Sequence, residues 1–197
     1  MSCHNIPVFL PHAGCPHRCL FCDQHSISGT ERTPSPEEVR AYLEECLAHY
    51  PHDPVQTEIA FFGGSFTCMD LDYQRALLDI GGELVSQYGL QGIRLSTRPD
   101  GISPEIIRHL LEYPVQAVEL GAQSMNDEVL GKNRRGHTAA DTVCAAGLIR
   151  QTGLELGLQM MVGLLGDTAD TVWETARALA NLQPDTVRIY PMVILRD

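Results

Sequence analysis

Short apolar runs alternate with amphipathic stretches along the whole chain, and this alternation constrains the fold more than any other feature of the sequence. Six runs are predicted to be strands: residues 8–10, 58–62, 93–95, 117–120, part of 154–162, and 186–190. Helical patterns lie between them. Because parallel strands need a crossover connection, whereas antiparallel strands can be joined by hairpins, the pattern predicts βαβ units and a sheet that is parallel throughout.

Side-chain caps mark where several of the predicted helices begin. Ser35, Asp70 and Ser103 are each placed to accept hydrogen bonds from the first turn of a helix, and Gly89 is placed to end the second of these helices. Two more helices are predicted to begin within residues 138–141 and 167–170. The polar runs 29–36 and 126–137 are predicted to be loops.

Glycine and polar residues follow the predicted strands, at 63–67, 96–99 and 121–124. Chemistry gathered at the carboxyl ends of many strands is typical of (β/α) barrels, although open parallel sheets also bind ligands outside these ends. We therefore expect an α/β fold, a partial TIM-like (β/α)6 barrel whose last helix is missing. We also expect residues 1–197 to form one domain that is truncated at its C-terminus.

The composition restricts the class of protein and its compartment. Apolar residues make up 44% of the chain and charged residues 20%, as in soluble globular proteins. No apolar run approaches the roughly 18 residues of a membrane span, and the N-terminus lacks the pattern of a secretory signal. The net charge of -11 disfavours a stand-alone nucleic-acid binder. Seven cysteines, an odd number, fit a reducing compartment, so we expect a cytoplasmic protein without a membrane partner.

Three of these cysteines lie within the eight residues CPHRCLFC, at 15–22, in a segment that glycine and proline predict to be a loop. Thiolates at this density suit zinc or an iron–sulfur cluster. A zinc site would need a fourth ligand, for which the candidates are His12, His17 and His25. A four-iron cluster held by Cys15, Cys19 and Cys22 would instead leave one iron open to a substrate or cofactor.

The CxxxCxxC spacing resembles the signature of radical S-adenosylmethionine (radical SAM) enzymes, including the aromatic residue before the last cysteine. The resemblance continues through FFGGSFT (61–67), STRPDGI (96–102), VELGAQS (118–124), NRRGHT (133–138) and MMVGLLGDT (160–168). These motifs are most similar to the branch that contains oxygen-independent coproporphyrinogen III oxidase and the elongator catalytic subunit. The resemblance implies that residues 1–197 are a radical SAM core domain.

The resemblance also implies the cofactors and the reaction. A 4Fe-4S cluster on the three cysteines would bind S-adenosylmethionine at its open iron, and one electron would cleave the sulfonium to give a 5′-deoxyadenosyl radical. The electron would come from a donor of the flavodoxin or ferredoxin type. The substrate, a small molecule or an RNA, stays open, as does the reaction subclass, oxidoreductase or transferase. No catalytic side chain is identified.

Four of the implied contacts with S-adenosylmethionine follow the cysteines and the second predicted strand. Phe21 would lie against the adenine. Gly63 and Gly64 would lie beside the methionine ammonium, where missing side chains allow a backbone to approach a ligand closely. Ser65 stands where the family often has a glutamate or threonine, so its contact would come from the backbone.

Four further contacts are implied at the ends of later strands. Ser96 stands where relatives often carry a glutamate for the ribose or amino group, and Gln123 would face the nucleoside. Arg135, or Arg134 beside it, would pair with the carboxylate as a fork-shaped donor. Gln159 stands where relatives use an aspartate or histidine near the ribose.

Two other classes of function compete with the radical SAM enzyme. One is an iron–sulfur protein for electron transfer or sensing that never cleaves S-adenosylmethionine. Six strand-end motifs argue against it, because a carrier needs only ligands and a dry pocket. The other is a binding module that zinc stabilises.

Overall fold

A six-stranded parallel sheet forms the centre of the molecule. The computed structural model describes residues 4–24, 29, 32–49 and 53–193. The strands are β1 (His4–Leu10), β2 (Thr57–Gly63), β3 (Gly92–Thr97), β4 (Val115–Gln123), β5 (Glu155–Val162) and β6 (Thr186–Pro191). The helices are α1 (Pro36–His49), α2 (Leu71–Tyr88), α3 (Pro104–Leu110), α4 (Asp127–Lys132), α5 (Ala139–Arg150) and α6 (Ala169–Asn181). Each predicted strand therefore corresponds to an observed one.

The strands lie side by side in the order in which the chain forms them, β1-β2-β3-β4-β5-β6, and every neighbouring pair is parallel. A doubly wound sheet would reverse its strand order at a switch point. Sequential order without such a reversal makes the sheet curl into part of a barrel, with β1 and β6 at its edges. The predicted partial (β/α)6 barrel is confirmed. No helix follows β6 within the described residues, which end at residue 193.

Apolar helix faces cover the outside of the sheet. α1 buries Val39, Leu43 and Leu47, and α2 buries a similar stripe that includes Leu77 and Leu84. Every residue of β3 is buried, as expected for a strand covered on both faces, whereas β6 at the edge is mostly exposed. Across the ranges that the structure describes, no helix combines the length and apolar character needed to cross a membrane.

A layer of buried charges lies within the half-barrel. Arg94 on β3 bonds to Glu58 on β2 at 2.6 Å and to Glu155 on β5 at 2.8 Å. Glu119 on β4 lies 3.6 Å from Arg94 and 2.8 Å from Arg188 on β6. Since these residues come from five strands, the layer joins β2 to β6 across the half-barrel.

The predicted helix caps are confirmed, but one predicted loop is wrong. Ser35, Asp70 and Ser103 accept hydrogen bonds from first-turn N–H groups, and Gly89 ends α2 in the left-handed region, at φ +67°. Helix α4 lies inside the predicted loop 126–137. This helix has only six residues and buries only two apolar side chains, so the sequence carries too little periodicity to reveal it.

Candidate functional site

A cavity of about 350 Å³ opens at the carboxyl ends of the strands. Its lining includes all eight residues for which contacts with S-adenosylmethionine are predicted: Phe21, Gly63, Gly64, Ser65, Ser96, Gln123, Arg135 and Gln159. Cys15 and Cys22 also line it, and Cys19 is buried, with 8% of its surface exposed. The structure therefore brings together positions that are up to 144 residues apart in the sequence, although their individual roles stay predictions.

The cysteine loop packs closely against the glycine-rich segment that follows β2. A side chain at Gly14 would approach the carbonyl oxygen of Ser65 to 2.4 Å and the backbone nitrogen of Met69 to 2.6 Å, so this contact requires glycine. On the other side, the N–H of Leu20 donates to the carbonyl oxygen of Asn133 at 3.2 Å. The loop is thus held between the ends of two βα units.

Burial controls the protonation of the cavity-lining thiols. It raises the pKa of Cys15, and it raises the pKa of Cys22 to about 11, while the positive charge of Arg135 opposes both shifts. Without a metal these two thiols are therefore protonated at neutral pH. Binding iron or zinc would displace their protons, because the thiolate is the metal ligand.

The candidate fourth ligands for zinc are engaged elsewhere or fall outside the described residues. Nε2 of His12 accepts the backbone N–H of Gln24 at 3.2 Å. The imidazole of His17 packs against Gly136, where a side chain would come within 2.2 Å of the ring. His25 lies outside the described residues. Within the described ranges, no three His, Cys, Asp or Glu side chains form a group that could hold a single metal ion.

The two glycines at the end of β2, Gly63 and Gly64, are required by contacts within the protein. Gly63 has φ +100°, and a side chain there would lie 2.9 Å from the ring of Phe9. A side chain at Gly64 would approach the carbonyl oxygen of Ala13 to 2.2 Å. The N–H of Ser65 donates to the same oxygen at 2.7 Å. Both glycines line the cavity, but close packing against β1 and the cysteine loop is enough to explain them.

The hydroxyl of Ser65 is committed to its neighbours. It lies 3.0 Å from the hydroxyl of Thr97 and 3.3 Å from the sulfur of Cys68, and it accepts the N–H of Arg98 at 3.2 Å. Since its N–H is also bonded, the predicted backbone contact from Ser65 would have to come from its carbonyl oxygen. Ser96 lines the cavity with 9% of its surface exposed.

Three polar atoms beside the cavity are buried without a hydrogen-bond partner among the described residues: Oε1 of Gln123, Nε of Arg135 and Nη1 of Arg98. Gln123 also has φ +65°, a strained conformation for a residue other than glycine. Buried polar groups are normally paired, and an unpaired one at a strained residue points to a ligand. An acceptor beside two cationic donors fits a ligand that carries both an ammonium and a carboxylate.

Arg135, not Arg134, faces the cavity. Its Nη2 donates to the carbonyl oxygen of Gly121 at 2.6 Å, and its Nη1 donates to the sulfur of Cys19 at 3.4 Å. Arg134 is exposed at the surface. Of the two arginines that the sequence left open, Arg135 is thus the one that lines the cavity, and its pairing with a carboxylate stays a prediction.

The side of the cavity along β6 was not predicted from the sequence. Arg188 and Tyr190 line it, with the Arg188 guanidinium 5.0 Å above the ring of Phe62. Glu119 orients this side, since its carboxylate accepts from Arg188 at 2.8 Å and from Gln159 at 2.9 Å. The two-residue period of a strand could have placed Arg188 and Tyr190 on one face.

Gln24 is a second residue that the sequence did not reveal. Its Oε1 accepts the N–H of His12 at 2.6 Å, and its Nε2 donates to the carbonyl oxygen of Gly63. It lines the cavity beside the cysteine loop. No sequence motif distinguishes it, because its role depends on where the loop folds back onto the sheet.

The family model of the Radical SAM superfamily matches residues 9–179. Among curated proteins, a tRNA uridine(34) acetyltransferase of Methanocaldococcus infernus is 26% identical over 96% of this chain and 43% of its own length. The chain spans between 42% and 61% of the length of four curated relatives, three of which are named tRNA uridine(34) acetyltransferases.

Two solved structures show the same fold. The M. infernus Elp3 with an N-terminal deletion has a TM-score of 0.71 and 22% identity, over 99% of this chain and 47% of that one. Coproporphyrinogen III oxidase (HemN) from Escherichia coli has a TM-score of 0.69 and 18% identity, over 98% of this chain and 45% of that one. The predicted resemblance to the branch of these two proteins is confirmed. The family match, the fold and the loop of three cysteines beside a polar cavity agree, and the chain belongs to the Radical SAM superfamily.

Proposed function

We propose that this chain is the core of a cytoplasmic radical SAM enzyme that holds a 4Fe-4S cluster on Cys15, Cys19 and Cys22 and binds S-adenosylmethionine in the adjoining cavity. The observation that carries the proposal is that two of these thiols share one cavity with buried polar atoms that have no partner among the described residues. Three thiolates leave one iron of such a cluster without a protein ligand.

When bound, the cluster and S-adenosylmethionine supply reductive cleavage to methionine and a 5′-deoxyadenosyl radical, given an electron from a donor of the flavodoxin or ferredoxin type. The chain's own residues bind and orient S-adenosylmethionine. Donors of Arg135 and Arg98 face the carboxylate, and Oε1 of Gln123 accepts from the ammonium or a ribose hydroxyl. Phe21 offers an apolar face to the adenine.

The side of the cavity along β6 is proposed as the substrate side. The Arg188 guanidinium lies 5.0 Å from the centre of the Phe62 ring, and Phe9 and Tyr190 line the same cavity. Such a surface suits a planar substrate, because aromatic faces stack on any base. Relatives named as tRNA uridine(34) acetyltransferases make a nucleobase in RNA the first substrate to test, and a small planar molecule the second.

Anaerobic reconstitution with iron and sulfide separates this function from its alternatives. A brown protein that converts S-adenosylmethionine to 5′-deoxyadenosine under strong reductant supports the proposal. A brown but inert protein would favour electron transfer or sensing, and a colourless protein that retains zinc would favour the binding module. Cys22→Ser should lose cluster and cleavage together, whereas Cys144→Ser, at an exposed position, should lose neither.

A further inference from the structure

Arg135 reaches across the cavity to the cysteine loop. Its Nη1 lies 3.4 Å from the sulfur of Cys19, within the range of an N–H···S hydrogen bond, and both residues have 8% of their surface exposed. The same guanidinium donates through Nη2 to the carbonyl oxygen of Gly121 at 2.6 Å. Cys19 is therefore the proposed cluster ligand with a cationic donor aimed at its sulfur.

The position of this guanidinium is fixed from several directions. The N–H of Arg135 donates to the carbonyl oxygen of Leu130 at 3.0 Å, which anchors its backbone to α4. Gly121 leaves room for the guanidinium, since a side chain there would lie 2.8 Å from Nη2. The loop itself is tied to the same segment through Leu20 and Asn133. Donor and sulfur thus sit on parts of the chain that hold each other in place.

The charge of Arg135 is not neutralised by a carboxylate. Arg98, the other arginine close to the loop, is paired with Asp100 through two hydrogen bonds of 2.9 Å. Of the carboxylates in the described part of the chain, none forms a salt bridge with Arg135. Its positive charge therefore acts on the sulfur at short range, in a buried place where screening by solvent is weak.

We propose that Arg135 sets the reduction potential of the cluster through its hydrogen bond to Cys19; this inference rests on the proposed function. Reduction transfers one electron from the external donor to the iron–sulfur centre, without breaking a covalent bond of the protein. The added negative charge spreads onto the ligand sulfurs. A cationic donor on one sulfur stabilises the reduced state more than the oxidised state, because hydrogen bonds to the sulfurs and local charge both set such potentials. Arg135 therefore makes the cluster easier to reduce.

The test is the midpoint potential of the reconstituted cluster, measured by an anaerobic redox titration followed by electron paramagnetic resonance. S-adenosylmethionine is left out, so that a role of Arg135 limited to the carboxylate of that ligand cannot move the result. Arg135→Gln should make reduction about tenfold less favourable, which for a one-electron couple is a potential about 59 mV lower. Arg135→Lys keeps the charge but cannot hold both Gly121 and Cys19, so it should shift in the same direction by less.

Arg134→Gln is the matched control, since it removes the same charge one residue away from an exposed side chain, and it should keep the wild-type potential. Potentials equal to wild type in both Arg135 variants, or an equal shift in Arg134→Gln, would overturn the inference and leave the proposed function standing. If Arg135→Gln assembles no cluster, Arg135→Lys decides, and an unshifted potential there overturns the inference. A wild-type protein that assembles no cluster would refute the proposed function itself.

Discussion

Glu119 joins the buried charge layer to the cavity, and replacing it with glutamine tests whether the layer supports the site. Its carboxylate has 1% of its surface exposed. It accepts from Arg188 at 2.8 Å and Gln159 at 2.9 Å, and it lies 3.6 Å from Arg94. Glutamine has the same shape but is neutral and has one acceptor oxygen, so Glu119→Gln can accept from Arg188 without the negative charge and can bond to Gln159 only if the Gln159 amide turns over.

The expected loss of stability follows from what the neighbours keep. Arg94 retains Glu58 at 2.6 Å and Glu155 at 2.8 Å, so no buried charge is left alone. The loss of unfolding free energy should therefore stay below the roughly 3–5 kcal/mol that is typical when one partner of a buried ion pair is removed. One charge-assisted hydrogen bond is lost, so we expect Glu119→Gln to lower the free energy of unfolding by about 2 kcal/mol.

Urea unfolding of the metal-free protein measures this difference, with Glu155→Gln as the matched control. Glu155 bonds to the same Arg94, but 44% of its side chain is exposed. Exposed ion pairs contribute little, so the control should lose only about 0.5 kcal/mol. Equal losses in the two variants would refute the reasoning, because burial would then not decide the strength of these contacts.

Two further predictions concern stability. Gly64→Ala should lower the free energy of unfolding by about 1–3 kcal/mol, through overpacking against Ala13, and should reduce the iron bound per chain. Gly147→Ala in α5, where nothing lies within 4 Å, should be neutral or stabilising in the same urea and iron assays. Burial, with nearby Arg135, lowers the pKa of His137 to about 4. Since the unfolded state takes up this proton first, the metal-free protein should lose roughly 3 kcal/mol between about pH 6.5 and 4, and His137→Gln should flatten this slope.

The fold could be predicted from the sequence because each βα unit carries its own signals. Buried strands appear in the sequence as apolar runs. Residues such as Ser35 and Asp70 mark helix starts, because their side chains accept hydrogen bonds from N–H groups only two or three residues later. Prediction from the sequence fails where tertiary contacts, rather than a local pattern, determine that a strand or helix forms. Strand β1 begins at His4, four residues before the predicted run, because its mostly exposed first half pairs with β2 without burying an apolar face. Helix α4 could not be predicted from the sequence, because it buries only two apolar side chains and so shows no helical periodicity.

The sequence predicts which positions line the cavity, but not which hydrogen bonds they form. Motifs at strand ends converge on one cavity because all parallel strands end at the same side of the sheet. What Ser65 or Gln159 bonds to depends on neighbours from other strands, which no local pattern encodes. The same holds for Arg188, whose orientation requires Glu119 on a strand that lies two positions away in the sheet.

The distribution of charge within the chain bears on how a substrate can approach. The chain has 14 Lys and Arg residues against 25 Asp and Glu residues, yet three arginines, Arg94, Arg98 and Arg135, are buried within the half-barrel or beside the cavity. Arg188 is half-buried at its mouth. Glu58 and Glu119 are buried as well, so the outside carries close to the whole net charge of -11 and repels a phosphate backbone at long range. Attraction acts only at short range within the cavity, which supports the proposal of a substrate that presents a single planar group to the cavity rather than one that lies along the surface.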